Sequence, residues 1–545
     1  MSFFDDASLV FLPSGEAGKD GKAYSMKPTN GNGDFTFSRG SNLTATRIDS
    51  NGLIEKGREN LLVNSVWDGV TTDTKPTGWS SELVSGTGTF DVTDTEGQIR
   101  FQTLDASSRA FIFSPTIVTN GIVVVSVYVD EVNTTLPLNN LIKRSASATD
   151  LFAYEDGVEI NYTDNVQAGK RYSVVFNKTA STTFRFGVGS SSGTLGDVVL
   201  SKPQIEIGLV ATEWITSPVG STGLAGILED SPRFDYSGGA SCPSLKLEGS
   251  RTNEIGYSEY FEGWTPQGSP TITSNFGTSP EGLQNSSRLR YTTDSDYIET
   301  SVTNTSGVFT IYAKGTGNLI LTDSGANASS TTALTSSYQR IELYFSTNTT
   351  TLQIKTDSSG LDAEVYAAQF ENATYATSYI PNHSGGSVTR EADSCSDAGT
   401  SSTFNDDEGV LYVEASALAN DGTSRMIALS DASSANHIRI YPTTTDNRIT
   451  IAIKSGNVNQ YVYHYDGLSD ITDTWKVAVR YKRNDFATFV NGVKVDSSSS
   501  GSVATGLDEL QFNGGASANH FYGKSNQVLV FNSYLSDSEC ITLTS

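Results

Sequence analysis

Apolar positions along this chain come in short runs divided by turn residues, and many runs alternate with period two. GIVVVSVYVD (Gly121–Asp130) is a β-branched run suited to a central strand. RYSVVFN, TFRFGVG and DVVLSKPQIEIG follow it at turn-separated spacing. Toward the C-terminus EGVLYVEAS, RMIALSD, HIRIYP, RITIAIK, QYVYHYD, WKVAVRYK, FATFVNGVKVD, LQFNG and QVLVFNSYLSD succeed one another. Asn51-Gly52 and Asn491-Gly492 sit between apolar positions and read as two-residue hairpin turns. The rhythm predicts many short strands, no long helices, and domains built as stacked sheets.

One stretch occurs twice. QIEIGLVATEWI (Gln204–Ile215) returns as QFENATYATSYI (Gln369–Ile380), with identities at Gln204/Gln369, Glu206/Glu371, Ala211/Ala376, Thr212/Thr377 and Ile215/Ile380. Upstream, Val124–Asp130 matches Val308–Lys314, and Arg58–Ser65 matches Arg251–Ser258. Ordered matches in one direction mean a duplicated domain. The expected layout is an N-terminal segment (1–57), a first sandwich (58–217), a connecting clasp (218–250), a second sandwich (251–382) and a larger C-terminal sandwich (383–545). The first segment is too short for a core of its own and is expected to pack on a neighbour. A duplicated module favours avidity for a repeated ligand over two active sites.

Charge narrows the function. The net charge is −25 over 545 residues, which repels nucleic acid and anionic membranes. No apolar run reaches membrane-spanning length. MSFFDDASLVFLP lacks the basic start of a secretory signal, so synthesis in a cytoplasm is expected. Three cysteines, Cys242, Cys395 and Cys540, suit neither a disulfide framework nor a structural zinc site.

Motifs for chemistry are sparse. GEAGKDGKA (Gly15–Ala23) has the wrong glycine spacing for a phosphate loop. His383, His437, His464 and His520 share no ligand spacing. Asp406 and Asp407, within Asn405–Gly409, could offer oxygens to Ca²⁺, although a polar turn is the plainer reading. No cofactor is otherwise implied. No Ser nucleophile elbow is present, so no catalytic residue is assigned. Sequons such as that at Asn42 carry no weight in so Ser/Thr-rich a chain. Glycan binding is the positive case. QYVYHYD puts Tyr461, Tyr463 and Tyr465 on one face of a strand, where they would stack on sugar rings or fill a core. Asn484 and Asp485, in the next turn, would bind hydroxyls. Trp79 and its aligned partner Trp264 are either core or sugar platforms.

Three resemblances follow from these residues. WKVAVRY, NDFATFVNGVKV and YGKSNQVLVFNSYLSDSE resemble laminin-G and concanavalin-like sandwiches. The repeats, ending QxExGxxATxYI, resemble jelly-roll carbohydrate-binding modules. DFTFSRGSNLTATRIDSNGLIE, PRFDYSGGASCPSLKLEGSRTN and ATSYIPN resemble adhesin-type structural proteins of tailed bacteriophages. Together they imply an all-β chain of two related sandwiches and a laminin-G-like third. They imply a virion component, in tail fibre, head fibre or decoration, that adheres to bacterial surface polysaccharide without catalysis. Its partners would be other virion proteins and copies of itself, as a trimer in the manner of such fibres. The resemblance also keeps Ca²⁺ in view. A polysaccharide depolymerase and a purely architectural capsid or tail component are the alternatives. The ExDxE and ExDxxE strands of concanavalin-like glycosidases are absent.

Overall fold

The computed structural model describes all residues except 1–2, 14–17, 20, 41–42, 85–87, 106–107, 145–146, 190–194 and 516–517. Part of the Gly15–Ala23 phrase and the Asn42 sequon lie outside the described residues. The chain is nearly all β, as its alternation predicts. Among the described residues no α-helix exceeds the eight residues of Asp537–Thr544. That helix explains the LSDSE ending. Ser536 Oγ accepts from Glu539 N, and Glu539 Oε2 accepts from Ser536 N, a capping box that starts the helix.

The five consecutive parts expected from the sequence resolve into two compact units. The first joins Met1–Glu55, Glu229–Arg251 and Thr389–Ser545; the second joins Lys56–Leu228 and Thr252–Val388. The N-terminal segment and the clasp are therefore not separate bodies. Strand Gly523–Phe531 is the reason. One of its edges takes Glu408–Ala417, and the other takes Ser244–Leu247 at its start and Leu9–Phe11 at its end. Each added strand satisfies backbone groups that an open edge would leave bare.

In the first unit this sheet runs Arg233–Asp235, Ser244–Leu247, Gly523–Phe531, Glu408–Ala417, Trp475–Lys482, Asp485–Val490, Val493–Ser498. It faces a sheet of Val458–Tyr465, Ile449–Ser455, His437–Pro442, Ile427–Ser430 and Glu509–Gln511. Leu411, Val413, Ile440, Ile451, Val477 and Val528 pack between them. Five buried charged groups cross-link the unit's three chain segments. Asp393 accepts from Arg39 at 3.1 Å and pairs with Arg233. Glu248 pairs with Arg233 at 2.5 Å and Arg390 at 2.9 Å.

In the second unit the duplication is visible as geometry. Gly121–Val132 lies between Lys170–Lys178 and Asp197–Ile207; Tyr297–Asp323 lies against Gln339–Lys355 and Leu361–Glu371. The second copy differs in that RIELYFS and TLQIKTD form one strand, Gln339–Lys355. Its central strand reaches 27 residues and bends at Gly315 and Gly317. Both take positive φ, and a Cβ on Gly315 would stand 2.2 Å from the Asp362 carbonyl oxygen.

The repeated residues form an internal clip. Glu206 accepts from Thr212 N (2.9 Å), Thr212 Oγ1 (2.5 Å) and Gln204 Nε2 (2.5 Å). Glu371 accepts from Thr377 N (2.8 Å), Thr377 Oγ1 (2.5 Å) and Gln369 Nε2 (2.8 Å). Gln204 and Gln369 each return 2.6 Å bonds from Ile215 N and Ile380 N. Asn60 and Asn253 then fasten the first strand of each copy to the same tail, through the carbonyls of Ile215 and Ile380. The identities that reveal the duplication thus hold the last strand in place.

A buried polar cluster joins the copies. Lys56 Nζ lies 2.5 Å from Glu259 and 2.9 Å from Glu281. The hydroxyls of Tyr366 and Tyr379 donate to Glu259 at 3.2 and 2.8 Å. Burial opposes the charge on Glu259, but Lys56, His383 and these donors hold it down to about 2. His383 stands 3.7 Å from Glu259, and burial pushes its imidazole down to about 4 against that attraction. A depressed imidazole fixes the sign of a pH effect. Between pH 6.5 and about 4 the unfolded chain takes a proton that the folded chain refuses, so stability falls as pH falls. The loss amounts to roughly 3 kcal/mol. Urea midpoints measured from pH 7 to pH 4 are expected to drop for the native chain and to flatten over that window in His383→Gln.

Candidate functional site

The proposed aromatic stripe faces inward. Tyr461 is 5 % exposed, stacks on Phe486 at 5.8 Å, and its hydroxyl bonds Thr488 (2.9 Å) and Asp496 (2.8 Å). Tyr463 and Tyr465 are half-buried against the same core, while Val462 and His464 point outward. Period two grouped the tyrosines correctly, but their face is the one turned to the opposing sheet. Asn484 holds its turn at φ +59° by accepting from Gly501 N, and Asp485 pairs with Arg480 at 3.2 Å. Both side chains serve the fold. Trp79 (2 % exposed) and Trp264 (3 %) are core residues, packed on Trp67 and Phe261 respectively, so neither presents a ring face to a sugar. Asp406 is likewise engaged by the fold. Both carboxylate oxygens of Asp406 accept backbone N–H groups, from Gly506 (2.6 Å) and Leu507 (3.0 Å). The Asp407 N–H donates to Asn405 Oδ1 at 2.9 Å, and no group of three His, Cys, Asp or Glu side chains that could hold a metal ion occurs among the described residues.

The structure instead opens a groove in the first unit. Its floor is the outer face of the longer sheet. Along Glu408–Ala417 the odd positions enter the core, and Val410, Tyr412, Glu414 and Ser416 point out. Val410 and Tyr412 join Phe3, Ala7 and residues of helix Asp537–Thr544 in one apolar cluster. The opposite end is bare. There Glu414, Ser416, Lys524 and Asn526 form a floor, edged by Thr472 and Thr474. Leu12, Pro13, Tyr24 and Met26 make one wall; the turn from Ser237 to Pro243 makes the other. The cavity measures about 1200 Å³.

Its polar groups are positioned by bonds to one another. Glu414 accepts from Tyr412 and Asn526, both at 3.2 Å. Lys524 Nζ sits 3.3 Å from Asp235 and also meets Ser237 Oγ. Burial opposes the charge on Asp235, but Lys246, Lys524, Ser237 and the Ile48 N–H draw it down to about 2. The hydroxyls of Tyr24, Ser416 and Thr474 bond none of the described residues and remain available. Fixed donors and acceptors beside the apolar surfaces of Leu12, Met26 and Tyr24 suit a polyhydroxylated chain with alternating wet and apolar faces.

The groove residues come from six separated stretches, so no local motif reveals them. A signal existed in the outward positions of two neighbouring strands. They are apolar at one end (Val410, Tyr412, Leu529, Phe531) and polar at the other (Glu414, Ser416, Lys524, Asn526).

Neither a family model nor a curated protein matches the chain. Similar solved structures do exist. The CBM40 of the Ruminococcus gnavus IT-sialidase, bound to α2,3-sialyllactose, is 14 % identical. The match covers 27 % of this chain and 92 % of that one, with a TM-score of 0.24. Domains LG4-5 of the mouse laminin α1 chain are 11 % identical over 52 % of this chain and 94 % of theirs, TM-score 0.20. The cycloalternan-forming enzyme of Listeria monocytogenes, in complex with a pentasaccharide substrate, is 9 % identical over 55 % and 22 %, TM-score 0.17.

Proposed function

We propose that the chain is a glycan adhesin of a tailed-phage virion, that it binds bacterial surface polysaccharide non-catalytically, and that the groove of the first unit is its contact. The observation that carries the reading is this groove, whose fixed polar floor lies beside apolar walls on a rigid sheet. Phage origin is supported by the sequence resemblance of Asp34–Glu55, Pro232–Asn253 and Ala376–Asn382 to phage adhesins. A glycosidase needs one carboxyl with a raised pKa to protonate the leaving oxygen, and Asp235, drawn against its burial down to about 2 by its cationic neighbours, is unsuited to that role in the groove. Many weak contacts on one particle would supply the avidity, with other virion proteins and sister copies as neighbours.

Thr474→Trp fills the exposed groove edge without touching a core residue. Its adsorption to purified surface polysaccharide of a susceptible host is expected to fall at least tenfold, with unchanged thermal unfolding and no new reducing ends from either protein. Release of reducing ends by the native chain would favour the depolymerase. Unchanged adsorption would remove the groove. Mass spectrometry of purified particles tests the virion assignment through the copy number of this chain.

A further inference from the structure

The two repeats treat one tryptophan differently. In the first, Trp79 Nε1 donates to the Val63 carbonyl at 3.0 Å. The Val63 side chain also fills the space beside Gly78, its Cγ2 lying 3.6 Å from where a Cβ would stand. In the second repeat Gly256 replaces Val63, and Gly263 and Trp264 replace Gly78 and Trp79. Trp264 Nε1 is buried and has no partner among the described residues. The Trp264 residue lines a cavity of about 460 Å³. Glycine at 256 is enforced, because a Cβ there would meet the Gly385 backbone at 2.9 Å. The Gly385 backbone, with Tyr257 and Tyr260 beside Gly263, takes the place of the missing valine, and the cavity opens next to them.

Hydroxyl and carboxylate groups line this cavity. Glu254 accepts from Thr303 Oγ1 at 2.8 Å. Glu299 is held by Gln267 at 3.1 Å and Gln353 at 2.7 Å. Ser301 and Ser387 stand exposed at the rim. The volume falls within the roughly 300–1,000 Å³ of small-molecule sites. Two fixed carboxylates accept from hydroxyl groups and repel anions, beside a buried indole N–H that has no acceptor among the described residues.

We infer that the second repeat holds a separate pocket for a neutral sugar, bounded by Trp264, Glu254, Glu299 and Gly386. This rests on the reading of the chain as a glycan binder, and it excludes sialic and uronic acids from this pocket.

The full chain labelled with fluorotryptophan provides the test. Trp264→Phe assigns the Trp264 resonance among the five tryptophans. Maltotriose, cellotriose, mannotriose and chitotriose are the neutral probes, and 3′-sialyllactose is the anionic one. At least one neutral probe is expected to move the Trp264 resonance, and sialyllactose to leave it in place. Gly386→Leu fills the mouth, where a Cβ meets nothing within 4 Å. It is expected to weaken binding at least tenfold with an unchanged melting temperature. Gly386→Leu binding like the native chain, or a Trp264 resonance that no neutral probe moves, overturns the pocket. Retained groove-dependent adsorption to polysaccharide in that case leaves the adhesin reading intact; loss of both ends both.

Discussion

Asp393→Ala is expected to lower the stability of the first unit by about 3–5 kcal/mol. Three donors lose their acceptor at once: Arg39 at 3.1 Å, Arg233, and the Glu248 backbone N–H at 2.8 Å. Arg39, Arg233 and Arg390 are all 1 % exposed or less, so water cannot take over. Glu248 alone must then balance three guanidinium groups. Asp393, in the third segment, accepts from donors of the other two, so its removal loosens the assembly of all three. Urea unfolding followed by Trp475 in the core of that unit reports the loss. The exposed pair Arg448–Asp466 provides the contrast. Its removal is expected to leave the urea midpoint nearly unchanged.

Glu371→Ala is expected to destabilise the second unit by about 3 kcal/mol, and Glu206→Ala by less. The two carboxylates make the same bonds, so local chemistry is constant and burial varies. Thr377 is buried, whereas Thr212 is half-exposed and can find water once Glu206 is gone. Hydrogen exchange at the amides of Thr377 and Ile380 should rise in the first variant before global unfolding does. Equal effects of the two substitutions would mean that burial does not set the strength of the clip.

These clips mark how far the sequence could be read. The identities at Gln204/Gln369 and Glu206/Glu371 announced a duplication and located its last strand. They could not announce their role, because the partners Asn60 and Asn253 lie more than a hundred residues upstream in both copies. Alternation predicted the strands of the C-terminal sandwich and put Tyr461, Tyr463 and Tyr465 on one face. Period two fixes which residues share a face and is silent on which face meets another sheet. The tryptophans show the same limit. Trp79 and Trp264 align, yet their difference lies in Val63 against Gly256, a neighbour that composition does not flag. The divisions at 57 and 250 lie within two residues of those at Glu55 and Arg251, but which pieces join into one unit was not legible, for a topological reason. Leu9–Phe11 and Ser244–Leu247 are short because they borrow an edge from Gly523–Phe531, and a short strand gives no hint of a distant host.

That borrowed edge orders events during synthesis. Leu9 pairs with Val530, so the ribosome must add more than five hundred residues before the first strand meets its partner. Until then Leu9, Val10 and Phe11 have no sheet to join, and the first unit cannot close however far the repeats have advanced. Chains interrupted before residue 523 would carry finished repeats and an open, sticky edge, which gives cellular quality control a way to tell them from completed chains.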